Sequence, residues 1–168
     1  MATESKMNEE QQRSLTEREL WTLKEFVENT LRKSGAILMD LYGKGDRKLK
    51  FDENLVTEAD NAAWELISGK IKGSFDGHAF LRELPGEVIS GPNCPRFLWI
   101  VDPLDGAASF QAGMPVWGIS AALFEKFWPV LGFLYLPMTG ELYSAYAARE
   151  ALLNDQRIRV RKDHTIDT

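Results

Sequence analysis

Between Thr16 and Gly43, Leu20, Leu23, Val27, Leu31, Leu38 and Leu41 recur at three- and four-residue spacing, with only Ser34 interrupting. That period places them on one face of a single long amphipathic helix. Thr16 and Glu19 form an S/T-x-x-E capping box at its start, and Gly43 and Gly45 end it. Arg47 to Asp52 alternates like a short strand. A second helix is predicted to open at Thr57, with Ala63, Leu66, Ile67 and Ile71 on one face, before Gly77 breaks the chain. Ala79 to Leu84 reads as a short strand and Pro85 to Pro95 as loop. Phe97 to Val101 is an apolar run rich in β-formers, which predicts a buried strand that stops at Asp102-Pro103-Leu104-Asp105-Gly106.

Beyond Pro115 the pattern changes to apolar runs of strand length: Val116 to Phe124, Val130 to Leu136 and Leu142 to Tyr146. Glu125-Lys126 and Pro137-Met138-Thr139-Gly140 separate them, and connections this short favour antiparallel hairpins. The expected fold is α+β, two helices packed on a mostly antiparallel sheet. Residues 1–14 read as a polar leader, 15–160 as one α+β domain and 161–168 as a charged tail.

Composition adds mainly exclusions. Of 168 residues, 44% are hydrophobic and 27% charged, the mixture of a globular protein with a real core. With 25 acidic against 20 basic side chains the net charge is −5 and no Lys/Arg cluster stands out, which argues against nucleic-acid and membrane surfaces as partners. Pro115 to Phe124 is the longest nearly apolar stretch and is too short to cross a bilayer. Cys94 is the only cysteine, so neither an internal disulfide nor a cysteine metal site is available. The leader has no apolar core, and together these features predict a cytoplasmic protein.

The candidate chemistry lies in Trp99-Ile100-Val101-Asp102-Pro103-Leu104-Asp105-Gly106. A buried strand ending in two carboxylates three residues apart can aim both at one point, because Pro103 fixes φ between them and Gly106 permits a sharp turn. Hard cations such as Mg²⁺ take oxygen ligands of this kind. A helix beginning at Gly106 would aim the amides of Gly106 and Ala107 at the same point, where they can bind phosphate oxygens. Each residue also has a plainer reading. Asp102-Pro103 and Asp105-Gly106 are common turn pairs, Asp60 is an acid in the first turn of a helix, and Glu83 on its own is a surface glutamate.

Four runs change that balance when taken in order: Leu55 to Asp60 (L-V-T-x-A-D), His78 to Glu83 (H-x-F-L-x-E), Trp99 to Gly106, and Val130 to Tyr143 (V-L-G-F-L-Y-L-P-M-T-G-E-L-Y). Together they resemble the inositol monophosphatase family over nearly the whole chain. The resemblance implies helices on an antiparallel sheet followed by a second α/β half, and this chain ends at Thr168, before that half. It also implies residue roles. Glu83, Asp102, Asp105 and the Leu104 carbonyl match metal ligands; Asp60 matches the aspartate that helps bind metal and orient the attacking water. Asp60, Glu83 and Asp105 thus stand as the catalytic candidates, with Gly106 and Ala107 as the phosphate contacts.

The implied activity is hydrolysis of a small polyol or sugar phosphate, dependent on two or more Mg²⁺ ions for which Mn²⁺ can substitute. A homo-oligomer is compatible with the apolar sheet. The sequence departs from the family at Ala107, where a water-positioning threonine is usual, and at Arg82 and Leu84, which replace the glycine and second glutamate of a G-E-E segment. Ala107 and the missing second half keep open a different class of function, a catalytically weak or inactive homologue that binds metal, phosphate or a partner.

Overall fold

The computed structural model describes residues 15–44, 53–82, 95–147 and 149–160. Thr16 caps the first helix, α1 (Glu17–Leu41), with both halves of the capping box formed: its hydroxyl accepts from the Glu19 amide and the Glu19 carboxylate accepts from its own. Such a cap contributes about 1 kcal/mol. Leu23, Val27, Leu31 and Leu38 are buried as their spacing predicts. At Gly35 the helix comes so close to the sheet that a Cβ would run into the ring of Tyr135. The second helix, α2 (Glu53–Lys72), starts four residues before the predicted Thr57, since Asn54-Leu55-Val56 is already helical. It buries Ala59, Ala63, Ile67 and Ile71, while Leu66 is only half-buried. Each large apolar side chain so removed from water stabilises the fold by about 1.5–3 kcal/mol.

The helices lie on a seven-stranded sheet of order β1-β2-β3-β4-β5-β6-β7. The strands are β1 (His78–Arg82), β2 (Phe97–Asp105), β3 (Gly118–Glu125), β4 (Trp128–Leu136), β5 (Glu141–Tyr146), β6 (Ala151–Leu153) and β7 (Gln156–Ile158). Among the described strands only β1 and β2 run parallel; every other neighbouring pair is antiparallel. A short helix, α3 (Ala107–Gln111), follows β2. The predicted strand over Arg47 to Asp52 and the end of the predicted Ala79 to Leu84 strand lie outside the described residues.

Alternation along the strands separates two faces. Trp99, Val101, Ile119, Ala121, Leu123, Leu131, Phe133 and Tyr135 are buried in the core that the helices cover. Register places Ile100, Ala122, Gly132 and Ala145 in one row of the other face, and Asp102, Ser120, Leu134 and Tyr143 in the next. Nearly all of that second set is half-exposed.

Two clusters of polar groups fasten the layers. Lys24 is buried on α1 and pairs with Glu28 at 2.8 Å and Asp155 at 2.5 Å. Asp155 belongs to the β6–β7 turn, where it and Asn154 take φ of 65° and 47°. Burial would lower the Lys24 pKa, but its hydrogen bonds to Asp155 and Glu28 outweigh that and raise it.

At the other end of the sheet, the Trp99 indole donates to His78 Nδ1 at 2.9 Å, and Phe75 and Phe97 pack against the imidazole. Burial, with help from the nearby Arg96 charge, holds His78 below the ordinary histidine value of 6.5. The unfolded chain therefore takes up this proton first as pH falls. The contribution of neutral His78 is complete above pH 6.5 and declines as the pH drops toward its folded value. Denaturation midpoints measured between about pH 5 and 7 should fall on the acid side. In His78→Asn, which keeps an acceptor for Trp99 but does not titrate, that part of the slope should vanish.

Candidate active site

The candidate site is organised by the end of β2. The strand does not stop at Asp102 as its composition suggests; it continues to Asp105. Asp102 pairs with Ser120 and Asp105 with Gly118, so three steps on β2 face two on β3 and the ladder bulges between the two aspartates. Pro103 has no amide to offer the ladder, and a bulge is where a strand tolerates that. The Leu104 amide donates to Asp102 Oδ1 at 3.2 Å, which fixes the carboxylate against its own backbone. Pro103 and the Leu104 side chain are buried beneath the bulge, whereas Asp105 is exposed. Asp102 also lines a shallow depression of about 390 Å³ on the open face, with Ile100, Ser120, Ala122 and Gly132.

Gly106 makes the turn into α3. Its φ of 82° is left-handed, and a Cβ there would stand 2.8 Å from the Val116 carbonyl oxygen and 3.2 Å from the Trp117 Cα. Both the conformation and the close approach therefore require glycine. The helix foreseen at this position does start, at Ala107, and is five residues long. Ala107 packs partly into the core, and Phe110 meets Trp117 edge-on at 4.9 Å. Ser109 is half-buried two residues beyond Ala107.

Asp60, in the second turn of α2, is half-buried and forms an ion pair with Arg82 at the end of β1. Glu83 lies outside the described residues. Among the described residues no three Asp, Glu, His or Cys side chains are grouped closely enough to hold a metal ion. The donor set of Asp102, Asp105 and the Leu104 carbonyl is nonetheless all oxygen, the ligand type that suits Mg²⁺ or Mn²⁺ rather than a softer ion. The sequence assigned no partner to Arg82, which the structure pairs with Asp60. The pair's only signal was a cationic residue where the family pattern has glycine.

A bulged strand end carrying two aspartates, followed at once by a left-handed glycine and a helix start, on a sheet backed by two long helices, defines a layered α+β protein with an oxygen-rich site. The match to known proteins is specific: the model of the inositol monophosphatase family covers residues 19–168, and the chain belongs to that family. It is 37% identical over 112 residues to an inositol-1-monophosphatase of Mesorhizobium japonicum, an alignment covering 67% of this chain and 41% of that protein. It is 36% identical over 130 residues to a histidinol-phosphatase of Chlorobaculum parvum, covering 76% of this chain and 49% of the other. Among solved structures, the inositol monophosphatase of Thermotoga maritima superposes with a TM-score of 0.70 at 30% identity, over 84% of this chain and 55% of its own. The chain thus spans about half the length of the relatives it matches. No helix among the described residues is long and apolar enough to cross a membrane.

Proposed function

We propose that this protein acts as a Mg²⁺-dependent phosphomonoester hydrolase on a small polyol or sugar phosphate. The observation that carries the reading is the end of β2, where Asp102 and Asp105 flank a bulge and Gly106 turns the chain into α3. Asp102, Asp105 and the Leu104 carbonyl, with Glu83 on the strength of the resemblance, are the proposed ligands. A bound divalent cation would reverse the repulsion between these carboxylates and a phosphate dianion and would make an attacking water more acidic.

The chain's own residues supply the rest. Asp102, braced by the Leu104 amide, keeps its carboxylate in place without reorganisation. Asp105 is exposed and open to ligand. The amides of Gly106 and Ala107 are the proposed contacts for phosphate oxygens. Small phosphorylated substrates, a cytoplasmic setting, and no nucleic-acid or membrane partner belong to the same proposal. The half-exposed apolar face of the sheet supports self-association.

A second reading is favoured by two observations: Ala107 carries no hydroxyl to position water, and Arg82 already occupies Asp60. On that reading the chain binds metal or phosphate and turns over weakly or not at all. Losing a water-positioning group costs about 10²-fold or more. The deciding measurement is phosphate release from inositol phosphate, histidinol phosphate, fructose bisphosphate and a nucleotide 3′-phosphate, with Mg²⁺ and with chelator. Mg²⁺-dependent release from any of them is the expected result. Phosphate binding without release across the panel would establish the second reading.

A further inference from the structure

Arg82 is the last described residue of β1 and stands beside Val101, one residue short of the level at which β2 presents Asp102. Its guanidinium is held from three sides by little more than one turn of α2. It forms an ion pair with Asp60. Its Nη1 donates to Asn61 Oδ1 at 2.9 Å. Its Cζ lies 5.6 Å from the ring centroid of Trp64. A planar, permanently charged fork suits this arrangement, because its N–H groups serve the carboxylate and the amide while its charge lies over the indole ring. The side chains of Arg82 and Asp60 are only 31% and 25% exposed, so the pair is partly shielded from water. A carboxylate engaged in this way has its charge neutralised and an oxygen occupied, and an approaching dication would meet a fixed positive charge.

We propose that Arg82 is a built-in counter-ion for Asp60, standing where that carboxylate would otherwise draw a divalent cation, so that the site takes one ion fewer than its aspartates would allow. The inference rests on the reading of Asp102 and Asp105 as cation ligands, and it assigns Asp60 to positioning β1 against α2 rather than to the ion.

Mn²⁺ titration of the full chain by calorimetry tests it. Arg82→Gln keeps a hydrogen-bonding side chain but removes the charge. It should gain one further equivalent of bound Mn²⁺, or bind Mn²⁺ about tenfold more tightly. Adding Asp60→Asn to that variant should erase the gain, and Arg82→Lys, which keeps the charge, should show none. A folded Arg82→Gln without the gain overturns the proposal, as does an equal gain in Arg82→Lys. The unmodified protein gives an independent measurement should Arg82→Gln fail to fold: the Asp60 carboxyl ¹³C resonance should stay in place at saturating Mg²⁺, and a shift as large as that of Asp105 overturns the proposal. The two readings fail separately. Asp105→Asn without effect on Mn²⁺ binding counts against the aspartate pair, whereas the Arg82→Gln gain speaks only to the counter-ion.

Discussion

Asp105→Asn should weaken Mg²⁺ or Mn²⁺ binding by about tenfold or more, since affinity for hard cations follows the charge of the ligand set. Asp105 is exposed and contributes no buried packing, so the metal-free protein should melt within about 0.5 kcal/mol of the unmodified one. Calorimetry and melting curves with and without Mg²⁺ separate the two effects. Cation-induced stabilisation should disappear while basal stability stays. Phosphate release, where present, should fall with it. An aspartate that served only to shape the turn into α3 would give the opposite pattern, a lower melt and unchanged metal affinity, and that outcome would sink the metal-site reading.

Trp99→Ala should cost about 3–5 kcal/mol of folding free energy, the range for deleting a fully buried large aromatic side chain. Trp99 has no exposed surface and lies in the row of β2 that faces the helices. Trp99→Phe keeps a ring but removes the indole N–H that satisfies His78 Nδ1, and should cost about 1–2 kcal/mol. Denaturant titration at neutral pH measures both. Equal losses in the two variants would mean that the hydrogen bond, rather than the packing of the ring, is what Trp99 contributes.

The first helix was legible almost to the residue, because a capping box, a regular apolar stripe and a terminal glycine all point the same way. Its packing was less so. Gly35 reads as a weak helix former, and only the structure shows the Tyr135 ring pressed against it. The second helix began early because Asn54-Leu55-Val56 carries no strong stop signal. The antiparallel strands after Pro115 followed from apolar runs and short turns. The β6–β7 hairpin went unassigned, although Asn154-Asp155 is a pair that tolerates left-handed backbone and so marks a tight turn.

At the site, the β2 strand end and its two aspartates were visible in sequence, but the bulge was not. Composition shows that Pro103 interrupts the ladder; whether a strand stops or bulges there depends on the neighbour it pairs with. The Asp60–Arg82 pair was equally hidden, since it joins a helix to a strand end 22 positions later through side chains whose directions no periodicity specifies.

The clasp between Lys24 and Asp155 joins residues 131 positions apart. Ribosomal synthesis delivers α1 first and α2 next, yet the strands against which α1 also packs are made later, and its buried ammonium finds its aspartate only in the β6–β7 turn. During that interval α1 has α2 beside it but neither the sheet that both helices cover nor a counter-ion from the far hairpin. Closing so large a loop carries its entropic cost before the contact returns anything. The nascent chain therefore has to pass through a stage in which its first helix is only partly covered, and the β6–β7 hairpin supplies the counter-ion that this stage lacks.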